Sequence, residues 1–262
     1  MYLWNPEDYQ NHSSAQENIA QGIISGLDLR GNEHILDIGC GDGKVTAKLA
    51  KLVPQGQVLG IDSSKDMIDF SRKKFSASVY SNLEFEHLSV LDMKFESRFD
   101  LVTSFACLHW VKDHLTVLKN IKRSLKPGGK IIIQCAGRKT GDDLTASARD
   151  VIRSDKWKQY FRGFSNPYGN YCPEEYHEWI ALAGLEELKV EMTIEEMVLP
   201  ERSGLEGFIR TTWLPITEQV PVELRPQLVR EISEKHLEKN TLRDDLARIN
   251  MPVLLIKARK PQ

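Results

Sequence analysis

The stretch ILDIGCGDGKVT, from Ile35 to Thr46, decides the fold class of this chain. It begins as an apolar run of the kind found in buried strands, and glycines then occupy positions 39, 41 and 43. The residues that follow, KVTAKLAKLV, have the apolar spacing of a helix, which we expect to begin near Asp42. A strand that enters a helix through a glycine-rich turn is typical of the first unit of an open α/β sheet.

The rest of the chain repeats this alternation of strand and helix. Short apolar runs alternate with stretches of helical periodicity in the order QVLGID, KDMIDFSRKKF, NLEFEHLSV, FDLVTSF, HLTVLKNIKRSL and GGKIIIQCAG. Later come a helix (PEEYHEWIALAGL), a strand (EELKVEMTIEEMVL), a mostly helical region over residues 201–249 and a closing strand (MPVLLIKAR). Strands that alternate with helices predict parallel βαβ units, and therefore an α/β fold with a doubly wound sheet.

Composition and charge narrow the class of protein. The 262 residues are 41% apolar and 27% charged, with a formal net charge of -2 and no block of basic residues. Because nucleic-acid surfaces are strongly basic, we expect no nucleic-acid partner. No apolar stretch approaches the roughly 20 residues that cross a bilayer, so we expect no membrane partner. The polar, acidic N-terminus does not resemble a signal peptide, and we expect a cytoplasmic protein.

The cysteines lack the spacing of a metal site. None of Cys40, Cys107, Cys135 and Cys172 forms a C-x-x-C pair with another, and the histidines show no ligand spacing. We therefore expect no metal. Three of the four lie in or beside apolar runs, where a reduced, buried thiol is typical and fits a reducing cytosol.

The glycine turn lies where open α/β sheets bind their ligands, at the carboxyl end of the first strand. The dinucleotide fingerprint G-x-G-x-x-G would need a glycine at position 44, which is Lys44, and the third glycine comes one residue early. Asp42 is also poorly suited to a pyrophosphate neighbour. The phosphate-binding pattern G-x-x-x-x-G-K-[ST] is absent. An uncharged nucleoside fits this turn better than a nucleotide.

Three aspartates near strand ends suit such a nucleoside. Asp62 follows VLGI at the end of the second strand, where a carboxylate can accept both ribose hydroxyls. Asp92 follows the third strand and can accept a hydrogen bond from an adenine amino group. Asp37 precedes the glycines, where it can either orient the turn or meet a cationic group of the ligand.

Five stretches in order resemble the motifs of class I S-adenosylmethionine-dependent methyltransferases. They are LDIGCGDG, GIDSS, LSVLDM, FDLVTSFACLHWV and LKPGGK, spread over residues 33–135. The resemblance implies a Rossmann-like, seven-stranded sheet whose last strand is antiparallel, and S-adenosyl-L-methionine as the cofactor. It further implies that the cofactor contacts Trp4, Tyr9, Asp37, Gly39, Cys40, Gly41, Asp62, Ser63, Met67, Leu91, Asp92, Met93, Phe105 and Ala106.

A narrower resemblance extends to both ends of the chain. WNPEDY near the N-terminus, LHWVKDH after the fourth strand, the late helical region and LLIKAR near the C-terminus are similar to the trans-aconitate methyltransferase group. Juvenile hormone acid and malonyl-carrier methyltransferases are related, and all of these esterify a carboxylate. The segment QCAGRKTGDD does not match the acid-binding segment of the trans-aconitate enzymes, so the particular acid stays open.

The resemblance gives a plan of the domain. We expect a single methyltransferase domain over residues 1–262, with a helical N-terminal cover (1–30) and a cofactor-binding core (31–137). We expect helical cap insertions on the acceptor side (138–172 and 197–249), and a closing helix and strands (173–196 and 250–260).

A carboxylate acceptor needs little acid–base chemistry from the enzyme. Methyl transfer from a sulfonium is an in-line displacement, and a carboxylate is already ionised near neutral pH. We therefore expect no catalytic base, and acceptor positioning by His109, Trp110, Arg138, Arg210 and Trp213. The structural alternatives are a solvated loop for Arg138, core packing for Trp213, and packing of the N-terminal helix onto the sheet for Trp4 and Tyr9.

The predicted function is methyl transfer to a small-molecule carboxylate. A carrier-bound acyl group, an amine and a carbon atom are alternative acceptors. A nucleotide-binding oxidoreductase of the NAD type and a non-catalytic cofactor-binding protein are the alternatives from other classes.

Overall fold

The computed structural model describes residues 4–138 and 143–262, and the chain divides into two compact units. The first, called here the sheet unit, contains Gln16–Arg138, Tyr168–Thr193 and Val253–Gln262. The second, called the helical unit, contains Met1–Ala15, Lys139–Pro167 and Ile194–Pro252. Each is described by itself below.

The elements alternate through the first half of the chain, as the sequence predicts. The strands are β1 (His34–Ile38), β2 (Gln57–Asp62), β3 (Leu83–His87), β4 (Phe99–Phe105), β5 (Leu125–Ala136), β6 (Glu186–Pro200) and β7 (Leu246–Arg259). The α-helices are α1 (Pro6–His12), α2 (Ser14–Ile24), α3 (Lys44–Leu52), α4 (Lys65–Lys74), α5 (His114–Ser124), α6 (Asp143–Ile152), α7 (Pro173–Ala183), α8 (Glu201–Thr212), α9 (Leu214–Thr217) and α10 (Arg225–Leu237). Short 3₁₀ turns occupy Leu108–Trp110, Lys158–Phe161 and Val222–Leu224.

The seven strands form one sheet in the order β3-β2-β1-β4-β5-β7-β6. Neighbouring strands from β3 to β5 are parallel, and β7 pairs antiparallel with β5. The predicted fold class, a doubly wound seven-stranded sheet with an antiparallel last strand, is confirmed. The order reverses between β1 and β4, and the crevice at such a switch point is where doubly wound sheets bind ligands.

Alternating side chains of the central strands build a core on each face of the sheet unit. On β5, Ile131 and Ile133 enter one core and Ile132 enters the other. Helices α5 and α7 cover the first face, and α2, α3 and α4 cover the second. A strand buried on both faces explains the nearly continuous apolar runs of the sequence.

The helical unit has its own apolar core. Trp157 is fully buried in it, among apolar residues of α6, α8 and α10. The Trp157 indole N–H donates to Glu231 Oε2 at 2.5 Å, which satisfies the polar end of this large side chain. Within the described ranges, no helix combines the length and apolar character needed to span a bilayer.

The structure corrects two predicted element boundaries and adds one helix that was not predicted. Helix α3 begins at Lys44 rather than near Asp42, because Gly43 adopts φ +79° and forms the turn before it. Helix α6 lies within a region where the sequence gave few periodic cues. Strand β7 begins at Leu246, inside the stretch predicted to be helical.

Candidate cofactor and acceptor site

The main chain after β1 turns in a conformation that only glycine adopts easily. Gly39, Gly41 and Gly43 have φ values of +72°, +53° and +79°. The N–H groups of Gly39 and Cys40 both donate to Ile61 O, at 2.8 and 3.1 Å, which ties the turn to β2. A Cβ on Gly39 would stand 2.1 Å from Cys107 Sγ, so a side chain is excluded there. The turn therefore presents bare main chain at the end of the sheet.

Asp62 connects this turn to the next strand. Its Oδ2 accepts a hydrogen bond from Gly41 N–H at 3.0 Å, and its Oδ1 accepts one from Ser64 N–H at 2.8 Å. Burial raises the pKa of Asp62 above its usual value, although these two N–H donors act in the opposite direction. Each oxygen retains a lone pair, so this carboxylate can still accept the two ribose hydroxyls of a nucleoside.

Asp37 is a buried carboxylate held by hydroxyl groups. Thr46 Oγ1 donates to one oxygen at 2.7 Å, and Thr103 Oγ1 donates to the other at 2.9 Å. Burial is the main cause that raises the pKa of Asp37 to about 6, and the nearby charge of Asp62 acts in the same direction. Its hydrogen bonds link β1, α3 and β4, which favours the orienting role among the two that the sequence left open.

Two side-chain oxygens of the sheet unit, one in α2 and one in the glycine turn, are buried without a partner in the described part of the chain. Gln16 Oε1 and Asp42 Oδ2 are buried with no hydrogen-bond partner among the described residues. Asp42 Oδ2 lies 3.6 Å from Lys44 Nζ, which is an ion-pair distance but a poor hydrogen bond. Buried oxygens that lack donors fit a ligand with an amino group, such as the methionine part of S-adenosylmethionine. Gln16 precedes the first strand in an ordinary helical stretch, so the sequence carried no signal for it.

The predicted adenine contacts differ in exposure. Leu91, Asp92 and Ser63 are exposed, whereas Met67 and Met93 are 3% and 1% exposed. Met93 is part of the core that α5 and α7 cover. The three exposed residues follow β2 and β3, the two methionine side chains are buried, and the cofactor contacts of all five remain predictions.

The end of β4 is strained. Ala106, just after Phe105, has φ +50°, a value that is unusual for a residue with a Cβ. Its N–H donates to Gln134 O at 2.9 Å and to Gln134 Oε1 at 3.1 Å, and these bonds hold the strained conformation. Such residues cluster at functional sites because the surrounding structure must maintain them.

The rings of His109 and Trp110 follow this strained residue in the chain and meet a third ring, that of Tyr168. Trp110 and Tyr168 meet edge to face with centroids 5.0 Å apart, and His109 lies 5.8 and 6.0 Å from them. Tyr168 comes from a distant part of the chain. We call these three residues the aromatic cluster. The structure therefore brings together the predicted His109 and Trp110 and adds Tyr168.

The His109 ring is neutral and its tautomer can be assigned. Burial is the main cause that lowers the pKa of His109 to about 4, and the neighbouring His114 acts in the same direction. Ala136 N–H approaches His109 Nδ1 at 3.4 Å, so Nδ1 acts as the acceptor. A neutral ring with an accepting Nδ1 carries its proton on Nε2. His109 therefore supplies an uncharged N–H donor.

Arg138 is already paired. Its Nη2 lies 2.9 Å from Glu175 Oε2 and 3.7 Å from Cys172 Sγ, and the side chain is exposed. These contacts raise the pKa of Arg138. Its main-chain N–H donates to Tyr171 O at 2.9 Å. Glu175 already balances part of the charge that an acid acceptor would meet, and the acceptor role of Arg138 stays a prediction.

The other predicted contacts belong to the helical unit. Arg210 donates two hydrogen bonds to Asp8, from Nε to Oδ2 at 2.8 Å and from Nη2 to Oδ1 at 2.7 Å. Trp213 packs against the core of this unit, and Trp4 and Tyr9 pack edge to face at 5.6 Å. The contacts of Trp213 match its core-packing alternative, and the ligand roles of Arg210, Trp213, Trp4 and Tyr9 remain predictions.

Comparison with known proteins gives the family. A family model described as a methyltransferase domain matches residues 29–184. The chain is 30% identical to the trans-aconitate 2-methyltransferase of Deinococcus radiodurans over 83% of this chain and 81% of that protein. This chain belongs to the class I S-adenosylmethionine-dependent methyltransferases. It is also 25% identical to the trans-aconitate 2-methyltransferase of Escherichia coli over 99% of both chains.

A solved methyltransferase structure has the same fold. Phosphoethanolamine N-methyltransferase 2 of Haemonchus contortus, with phosphomonomethylethanolamine and S-adenosylhomocysteine, aligns with a TM-score of 0.62 at 22% identity. The alignment covers 94% of this chain and 53% of that one. The cofactor of the present enzyme is S-adenosyl-L-methionine. Membership of this family excludes the alternative function of an NAD-type oxidoreductase.

Proposed function

We propose that this methyltransferase esterifies the carboxylate of a small acid. The observation that carries the proposal is the neutral, weakly basic His109 beside the strained end of β4. A general base works best with a pKa near the operating pH, and burial lowers the pKa of His109 to about 4. His109 is therefore a poor base, and an acceptor that arrives already deprotonated, as a carboxylic acid does near neutral pH, needs none.

The chain's own groups suit an acid. The Nε2–H of His109 can donate to a carboxylate oxygen, and hydrogen bonds to an ionised group are stronger than those between neutral groups. The Cys107 thiol nearby stays protonated because burial raises its pKa. When bound, S-adenosylmethionine supplies an electrophilic methyl group on a sulfonium. The enzyme's contribution is then positioning and exclusion of water.

The relatives support the same acceptor class. The trans-aconitate 2-methyltransferases of Deinococcus radiodurans and Escherichia coli share 30% and 25% identity with this chain. At that distance the particular acid can differ, and the chain's departure after β5, where Arg138 pairs with Glu175, is one place where it would. The proposal is accordingly for the carboxylate class.

An amine is the second candidate. The faces of Trp110 and Tyr168 can attract a cation, and their rings lie 5.0 Å apart. An ammonium acceptor must lose a proton before it attacks, and the low pKa of His109 makes this ring a poor base for that step. The aromatic cluster is compatible with an amine acceptor. The neutral His109 favours an acid acceptor more strongly.

Base lability of the product tests the proposal. Small acids and small amines are incubated with the enzyme and S-adenosylmethionine labelled on the methyl group, and the product is treated with mild base. A methyl ester releases the label as methanol, whereas an N-methyl or C-methyl product retains it. Label that survives base would replace the acid by an amine or carbon acceptor, and transfer only to acids loaded on a carrier protein would indicate the carrier-bound alternative.

Matched substitutions of His109 test the residue. His109→Gln keeps an N–H donor at a similar reach, so kcat/KM should fall by less than tenfold. His109→Phe removes the donor but keeps the ring, so kcat/KM should fall about 10–100-fold, chiefly through KM for the acid. Equal losses in both variants would show that the ring shape, not the donor, is what matters.

A further inference from the structure

The segment before α7 contains a buried amide that the proposed chemistry leaves unused. Asn170 Oδ1 is buried and has no hydrogen-bond partner among the described residues. Buried side-chain oxygens are nearly always hydrogen-bonded, and the few exceptions call for an explanation. Sequence analysis did not find Asn170, because nothing in NPYGNYCP separates it from an ordinary turn residue.

Main-chain hydrogen bonds fix this segment beside the aromatic cluster. Gly169 N–H donates to His109 O at 2.8 Å, and Tyr171 O accepts from Arg138 N–H at 2.9 Å. A Cβ on Gly169 would stand 1.9 Å from a carbonyl oxygen of the turn after β4, so the two stretches of backbone touch closely. Asn170 therefore lies between two residues whose main chains are anchored by hydrogen bonds.

The neighbours of Asn170 in the chain place it beside the aromatic cluster. Tyr168, two residues before it, packs against Trp110 and His109. The Tyr171 ring, one residue after it, packs 4.6 Å from the His114 ring of α5 and 4.7 Å from the Trp179 ring of α7. Asn170 therefore lies in the chain between the aromatic cluster and the rings that pack on α5 and α7.

We propose that Asn170 Oδ1 accepts a hydrogen bond from a second polar group of the acceptor, a hydroxyl or an amide N–H near the methylated carboxylate. The inference rests on the proposed function. An ionised carboxylate has no hydrogen to donate, so it cannot pair with Oδ1. His109 Nε2–H then meets the carboxylate, and Asn170 selects acids that carry a donor substituent.

Matched pairs of acids test this selection. Each pair differs by one hydroxyl, as malate and succinate do, or lactate and propionate. The wild-type enzyme should prefer the hydroxylated member by about 10–100-fold in kcat/KM, because the other member leaves Oδ1 unpaired.

Three variants assign the preference to the Asn170 oxygen. Asn170→Leu has a similar volume and no acceptor, so the ratio within each pair should fall to about 1. Asn170→Asp keeps an oxygen acceptor and adds a negative charge. It should therefore keep the ratio while raising KM for both members. Ser165→Ala, an exposed change in the same connection, should change neither quantity.

Several results would overturn the proposal, and they separate it from the function itself. If acids are methylated but the wild type shows no preference within pairs, or Asn170→Leu keeps the preference, Asn170 does not read the acceptor. A loss of S-adenosylhomocysteine affinity in Asn170→Leu, measured by calorimetry, would assign the amide to the cofactor instead. If no acid of either kind is methylated, the carboxylate function fails, and the acceptor role of Asn170 fails with it.

Discussion

At the carboxyl end of β2, Asp62 already uses one lone pair on each oxygen to hold main-chain N–H groups of Gly41 and Ser64. The side chain therefore shapes the turn before any ligand binds. Each oxygen keeps a second lone pair, and a carboxylate at this strand end, bonded to the glycine turn, favours a nucleoside with free ribose hydroxyls.

Replacing Asp62 by Asn tests this dual role. The amide keeps the shape, but its NH₂ group must face either Gly41 N–H or Ser64 N–H, and a donor cannot accept their hydrogen bonds. S-adenosylhomocysteine should bind about 10–100-fold more weakly by calorimetry. Asp66→Asn, in the exposed first turn of α4, is the matched control and should bind normally. Unchanged affinity in Asp62→Asn would remove Asp62 from the cofactor site.

The sequence could predict Asp62 but not the side-chain pairings that depend on the folded chain. Asp62 follows a buried strand, and the end of a buried strand is readable from an apolar run. The unpaired oxygens of Gln16 and Asn170 depend on which atoms fail to reach them in the folded chain, and no local pattern carries that information. The same holds for Arg210, whose partner Asp8 is 202 positions away.

At the scale of elements, α1 is attached to α8 by two kinds of contact within the helical unit. The charged pair between Asp8 and Arg210 is partly exposed, with side-chain exposures of 27% and 49%, and such pairs contribute about 0–1 kcal/mol. The other contact is steric. The His12 ring lies against Gly207 so closely that a Cβ there would stand 2.0 Å from His12 Cδ2.

Gly207→Ala should detach α1 even though alanine favours helices. In an exposed helix this change stabilises by roughly 0.5–1 kcal/mol. Here the ring of His12 must move away, so hydrogen exchange in Pro6–His12 should speed up. Ser203→Ala, on the same helix but exposed, should leave exchange in α1 unchanged. Equal protection of α1 in both variants would show that the ring has room to move.

Element prediction succeeded where the apolar pattern was unambiguous. Strand β4 coincides with FDLVTSF, and α7 ends before Gly184, whose φ of +67° fits a helix end. Helix α6 was missed although its buried residues Leu144, Ala148 and Val151 have helical spacing. Polar neighbours dilute that signal, and the burial that stabilises α6 comes from the distant α8 and α10.

At the scale of the whole molecule, two buried groups make opposite contributions to stability against pH. The folded pKa of Asp37 is about 6, above its unfolded value of 3.8, so the folded protein holds more protons and loses stability as pH rises between these values. The folded pKa of His109 is about 4, below 6.5, so the protein gains stability as pH rises through that window. The two effects largely cancel.

Single substitutions should uncover each contribution. Relative to wild type, the free energy of unfolding of Asp37→Asn should increase between pH 4 and pH 6, by up to about 3 kcal/mol. Relative to wild type, the free energy of unfolding of His109→Gln should decrease over the same pH range. Urea unfolding at several pH values measures both. Parallel curves for wild type and both variants would mean that neither group titrates as its burial implies.

The binding position of S-adenosylmethionine in the sheet unit decides the roles of the residues described above. A crystal structure with S-adenosylhomocysteine measures that position most directly. We predict the nucleoside at the carboxyl ends of β1 and β2, with its ribose hydroxyls within hydrogen-bond distance of Asp62 and its amino acid part against the main chain of Gly39–Gly41. A nucleoside bound elsewhere, or ribose hydroxyls that do not reach the Asp62 carboxylate, would contradict the account.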